Sequence, residues 1–302
     1  MSKIKAAVAS MRLRTLPLSL AGVILGSLLA IGDYRVDPAV LPFLYLTTVC
    51  LQILSNMSNE LGDVLHGTDN DDRQGPRYGL NSGALTVTEM KRLIGLFVVI
   101  CCICGLVMIR ISFGTLLSLE AICLMLLGAA AIMGAMKYTL GRNPYGYRGL
   151  GDIFVFIFFG IVSVLGAYFV CAHTIPSWLM ALPAASIGFF SVGVLNINNI
   201  RDMDTDATNR VTVAIRLGVH RSRIYQTILT VLGWVCIAAF FCCRFFDWVH
   251  FLFVLTLPLY VIDLKIVWTE EGRALDRALP ILVMSTFALS LLAGLGYVLF
   301  LI

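Results

Sequence analysis

AVLPFLYLTTVCLQILSNMSNELGDVLHGTDNDDR, residues 39–73, runs from apolar to acidic without a break. Positions 39–58 are almost all apolar, and twenty such residues are what a helix needs to cross a bilayer core about 30 Å thick. The next fifteen carry five acids: Glu60, Asp63, Asp69, Asp71 and Asp72. The first half therefore reads as a membrane span, and the second places a dense negative cluster at one of its mouths.

The rest of the chain follows the first half. Of 302 residues 59% are hydrophobic and 13% charged, against roughly 25% charged in a soluble domain, and the mean hydropathy is +0.90. Apolar blocks near 20 residues long recur at about 17–32, 39–58, 91–112, 114–135, 152–173, 177–199, 222–243, 247–266 and 277–301. An all-α polytopic membrane protein of about nine spans is expected, with residues 1–302 forming one transmembrane domain. The segment MSKIKAAVASMRLRT (1–15) reads as a basic arm leading into the first span, since no small-residue cleavage site follows a short apolar core. With the N-terminus inside, 19 of the 22 Lys and Arg fall on the inner face, leaving Arg35, Arg110 and Arg244 outside. That bias orients the chain with its N-terminus in the cytoplasm and puts its long, charged loops (about 59–90, 136–151 and 200–221) there too. A bacterial cytoplasmic membrane is the expected location, and the lipid bilayer rather than nucleic acid is the expected partner. All nine cysteines lie in or beside apolar blocks; Cys101 and Cys104 have metal-ligand spacing but no second pair, and read as packing residues.

A second acidic cluster, NINNIRDMDTDATNR (196–210), closes the sixth span. Asn198, Asp202 and Asp206 are spaced i, i+4, i+8 and share a helix face. Asn59 and Asp63 repeat the i, i+4 spacing at the end of the second span, with Asp69 beyond Gly67. The pattern reads as an internal repeat whose copies face each other across a central cavity. Clustered carboxylates repel one another unless a cation joins them. Oxygen-only ligands suit Mg²⁺, which takes one or two carboxylates together with phosphate oxygens. Arg73, Arg77, Arg142, Arg201 and Arg210 stand nearby, so the expected ligand is a metal-bound diphosphate. Glu60, Asp71, Asp72 and Asp204 lie off the shared faces and read as solvated or supporting charges. A secondary transporter is the rival from another class, but it would place charges in mid-span rather than at span ends on one side.

At these residues the chain resembles the UbiA superfamily of intramembrane aromatic prenyltransferases. NELGDVLHGTD (59–69) and NNIRDMDTD (198–206) match the superfamily's paired motifs. RLRTLPLSLAGVILG (12–26), GPRYGLNSGALT (75–86) and YTLGRNPYGYRGLGDIFVFIFFG (138–160) extend the likeness, most closely to the branch that prenylates 1,4-dihydroxy-2-naphthoate. The resemblance implies a helical bundle around a cavity and a Mg²⁺-dependent transfer of a polyprenyl group from polyprenyl diphosphate to 1,4-dihydroxy-2-naphthoate. Another acceptor such as 4-hydroxybenzoate is the alternative. It implies Asn59, Asp63 and Asp69 as ligands of one metal, and Asn198, Asp202 and Asp206 of the other. Arg77, Arg142, Arg201 and Arg210 would meet substrate phosphate, Arg210 standing where the family usually has lysine. Tyr138 would shield an allylic cation, unless it and Arg142 are an interfacial anchor pair. Asp152 either positions the aromatic acid or is a helix N-terminal charge, and Arg14 (with Arg12) either contacts substrate or sets topology. His66 reads as a neighbour of the first motif, the other three histidines as interfacial, and Glu120 as the one acid well inside a span.

Overall fold

The computed structural model describes residues 2–67, 78–206, 210–244 and 247–299, with the backbone but not the side chain of Asp206. Among these residues nine helices are long and apolar enough to cross a membrane, and no strand occurs beyond one isolated bridge. A short helix, Lys3–Ser10, precedes the first span, Leu16–Asp33. The others are Val40–Leu65, Val87–Phe113, Leu119–Lys137, Gly151–Ala172, Trp178–Arg201, Val213–Cys243, Trp248–Thr269 and Gly272–Leu299.

The first four spans pack in chain order, with the fourth against the third and second, as do the fifth to the ninth, and the ninth packs against the first. The first span is also pressed against the fifth, through Gly22 and Gly26. Small residues four apart let helix backbones approach where lipid offers no hydrophobic drive for association. A Cβ at Gly26 would run into the Val164 carbonyl oxygen. On its other side the fifth span meets the sixth at Gly160, whose missing Cβ would sit 2.6 Å from both the Ala184 carbonyl oxygen and Gly188 Cα. The wide π-helical turn Phe156–Val162 falls at this contact. Gly26→Val is expected to cost about 3 kcal/mol, the upper end for overpacking, because the obstacle is backbone and cannot rotate away. A thermal midpoint in detergent equal to that of the parent protein would refute this.

Two span starts and one buried acid change the hydropathy reading most. The seventh span begins at Val213, where the Thr212 hydroxyl caps the helix by accepting from Ile215 N–H (3.2 Å), and it breaks at Gly218 (φ 73°). Hydropathy sees only the apolar part beyond that break. The fourth span begins at Leu119, which puts Glu120 in its exposed first turn rather than inside the membrane. The interior acid is Asp263 in the eighth span: it is fully buried, and neither oxygen has a hydrogen-bond partner among the described residues.

The two ends of the bundle are tied differently. At the end bearing Arg244, the Asp33 carboxylate accepts from Arg244 Nη1 (2.9 Å to each oxygen), Tyr297 (2.6 Å) and Tyr168 (2.7 Å). This joins the first, fifth and ninth spans to the end of the seventh. His250 is buried there against Phe241 and Tyr297 rather than interfacial. The opposite end holds the loops expected to carry function.

Candidate active site

The second span stays helical to Leu65, so Asn59 and Asp63 project from a rigid element, and Asp63 is buried. Its Oδ1 accepts from Tyr147 Oη (2.8 Å) and from Arg210 Nη2 (2.7 Å), and the Arg210 guanidinium lies over the Tyr147 ring at 4.8 Å. Asp63 and Arg210 are 147 positions apart in the chain, one in the first motif and the other just after the second. Tyr147 comes from the 136–151 loop (the third loop when the N-terminal arm is counted first), which is stitched to the strand-like residue Val211 by Val211 N–H to Tyr147 O (3.0 Å). The helices carrying the motifs do not pack on one another; inner-end side chains and loops make the junction.

Other contacts fix the third loop on the second span. Thr139 Oγ1 donates to Ser58 O (3.0 Å) and reaches Asn59 Oδ1 (3.3 Å), and Gly62 has no Cβ where Thr139 lies against it. His66 stands beside the first motif as expected: its ring meets Gly62 O (2.8 Å), Gly141 O (3.1 Å) and the edge of Tyr147. Glu60 takes the supporting rather than the solvated of its two expected roles. It is fully buried, with Oε1 accepting Leu80 N–H (2.7 Å), so it anchors the 78–86 turn instead of facing solvent. That helix face is covered by the turn and the N-terminal arm, which spacing alone does not reveal.

A small cavity lies beside this junction, lined by Tyr138, Asp152, Asn199, Arg210 and Thr212 and walled by Gly146, Gly149 and Gly151. Asp152 accepts from Tyr225 Oη (3.0 Å). The cavity gathers three of the expected residues, Tyr138, Asp152 and Arg210, and adds Asn199; Tyr147 and Tyr225 stand behind its lining, on Arg210 and Asp152, and spacing singled out none of the three. Asn199 had a signal, being next to Asn198 and one step round the helix from the motif face. Tyr147 and Tyr225 had none, because their partners are remote in sequence.

The remaining expected residues are placed elsewhere. The helix ends at Lys137, with Tyr138 as its cap and a left-handed turn at Gly141 (φ 100°), so Arg142 does not share a helix face with Tyr138 and is exposed. Arg14 is exposed and donates to Tyr78 Oη (3.0 Å), while Arg12, itself left-handed (φ 48°), lies over the Tyr78 ring at 4.3 Å. Arg201 has its Nε and Nη2 on the two oxygens of Asp202 (2.8 and 2.6 Å) and Nη1 on Asp276 (2.5 Å). It serves carboxylates rather than an open phosphate site. Asn198 donates its amide to Val194 O (3.1 Å), leaving the amide oxygen as its acceptor. Asp69, Arg77 and the side chain of Asp206 lie outside the described residues.

Among the described residues no three His, Cys, Asp or Glu side chains gather as a metal cluster. What is present is Asn59 and Asp63 four residues apart on the second span, and Asn198 with Asp202 four residues apart at the end of the sixth. Each pairs a carboxylate with an amide at the bundle's loop end. This oxygen-only donor set fits Mg²⁺, which completes its octahedron with waters and phosphate oxygens.

The chain belongs to the UbiA prenyltransferase family, whose model matches residues 19–291. It is 39% identical over 270 residues to the 1,4-dihydroxy-2-naphthoate octaprenyltransferase of Escherichia coli, covering 89% of this chain and 87% of that one. The Haemophilus influenzae protein of the same name is 38% identical over 94% and 93%. The fold is also that of an apo UbiA homologue from Aeropyrum pernix (TM-score 0.68, 16% identity, 97% and 98% covered). A homologue from Archaeoglobus fulgidus, solved with GPP and Mg²⁺, is similar at TM-score 0.58 and 14% identity over 95% and 99%. Family membership sets aside the transporter alternative.

Proposed function

We propose that the protein transfers an all-trans polyprenyl group from polyprenyl diphosphate to 1,4-dihydroxy-2-naphthoate, releasing CO₂ and diphosphate and giving demethylmenaquinol. The site opens to the cytoplasmic side of a bacterial inner membrane. The observation that carries this reading is the Asp63–Arg210 contact at the mouth of the polar cavity, in a chain resembling octaprenyltransferases over most of its length.

Asn59 and Asp63, with Asp69, would hold one Mg²⁺, and Asn198 and Asp202, with Asp206, the other. When bound, the metal supplies positive charge to the diphosphate as the allylic C–O bond breaks. Arg210 touches both Asp63 and the cavity, so its guanidinium is within reach of diphosphate and can offset the charge that appears on it. Arg77 and Arg142 would extend this cationic rim. Tyr138 presents an aromatic ring at the cavity, where its negative face favours a passing cation. Asp152, oriented by Tyr225, and Asn199 offer polar atoms to a hydroxylated aromatic acid. The apolar spans keep water from the allylic centre.

The test is direct. Purified protein with Mg²⁺ and farnesyl or longer diphosphate is expected to prenylate 1,4-dihydroxy-2-naphthoate but not 4-hydroxybenzoate, and chelation by EDTA should stop the reaction. Product with 4-hydroxybenzoate and none with the naphthoate would overturn the acceptor assignment.

A further inference from the structure

The turn 270–277, which links the eighth span to the ninth and includes the ninth's 3₁₀ start, belongs to neither motif, yet it is bolted beneath the second. Arg223 of the seventh span donates to Glu270 O (2.8 Å) and reaches the Glu271 carboxylate (3.4 Å) at one end of the turn. Leu275 is fully buried in the middle. At the other end Asp276 holds Arg201, whose side chain is only 4% exposed, while Asp276 itself is 34% exposed. Arg201 in turn grips both oxygens of Asp202.

The charges in this chain of contacts matter. A bidentate arginine is the strongest common partner of a carboxylate, and Arg201 with Asp202 alone would be a neutral pair, poorly suited to attract a dication. With Asp276 as the arginine's second partner the triad carries a net charge of −1. Arg201 then fixes the orientation of Asp202 without cancelling the field in front of it. We propose that Asp276 is a positioning residue for the second metal half-site, acting on Asp202 through Arg201; this rests on the reading of Asp202 as a metal ligand. The last third of the chain thus takes part in metal binding through a residue that touches no metal.

Mn²⁺ binding to the full chain in detergent with inorganic pyrophosphate, followed by the loss of the free Mn²⁺ electron paramagnetic resonance signal, tests it apart from turnover. Asp276→Asn, which keeps shape and removes charge, is expected to weaken binding about tenfold, the lower end of the range for a group directly behind a metal ligand, because Asp276 acts one contact further back, through Arg201. Asp276→Glu keeps the charge and should stay within about twofold of the parent protein. Thermal midpoints are measured alongside. Equal weakening in both variants would show that the turn's shape rather than its charge matters, and would overturn the proposal, as would unchanged binding in Asp276→Asn. Should Asp276→Asn fail to fold, weakened binding in a folded Asp276→Glu would still overturn it. Asp202→Ala separates the two layers. If it binds Mn²⁺ like the parent, the metal reading itself fails. If it loses binding while Asp276→Asn does not, only the role of Asp276 fails.

Discussion

Asp63→Asn is expected to cut turnover at least about a thousandfold at saturating Mg²⁺ and diphosphate, the scale of losing a preorganised electrostatic contact to the reacting group. The substitution keeps size and removes charge. In the structure that charge faces Arg210 and Tyr147, and in the proposed reaction it would face a metal and a diphosphate. The asparagine can still accept from Tyr147, so the loop contacts survive in part and the thermal midpoint in detergent should move little. Large loss of turnover with a nearly unchanged midpoint is the expected signature of a ligand. If the variant kept activity within about tenfold of the parent, Asp63 would not be a metal ligand. Asp63 would then serve only to seat Arg210.

The second large effect is on stability, at the far end of the bundle. Arg244→Met leaves the Asp33 carboxylate with two tyrosine donors and no counter-charge. Removing one partner of a buried pair costs about 3–5 kcal/mol. Asp33 and Arg244 are 17% and 24% exposed, so screening trims the expected cost to roughly 2–3 kcal/mol. A fall in thermal midpoint of about 5 °C or more follows for a chain of this size, with turnover per folded molecule retained because the network lies at the opposite mouth from the cavity. Asp33→Asn combined with Arg244→Met should recover part of the loss, since no stranded charge remains. A single variant as stable as the parent would mean that the network contributes nothing measurable, as many exposed ion pairs do.

Much of the site was legible without coordinates because its residues carry chemistry at helical spacing. Asn59 with Asp63, and Asn198 with Asp202, announce themselves as paired oxygen donors on an apolar chain. Arg210 stood out by its place just after the second motif, Tyr138 and Asp152 by the resemblance and their places at span ends, and the structure gathers all three around one cavity. The errors and the open readings share one cause. For Glu60 both a solvated and a supporting role stayed open, because helix spacing says which residues share a face, not what covers that face; the 78–86 turn covers this one. Arg201 read as a phosphate ligand because it is basic and next to an acid. Its second carboxylate comes from position 276, which no local pattern connects to it. Asp263 was overlooked because one acid barely lowers the hydropathy of a 22-residue span.

The sequence by itself determined that this chain is a bundle of membrane helices with most of its acids and arginines at one mouth. Apolar length, charge bias and i, i+4 spacing are properties of single helices and need no neighbours to be read. Tertiary structure alone decided which arginine serves which carboxylate: Arg210 reaches across the mouth to Asp63, while Arg201 stays with Asp202 and Asp276. A guanidinium binds the carboxylate within its reach, and reach between residues 75 or 147 positions apart is set by how the helices pack.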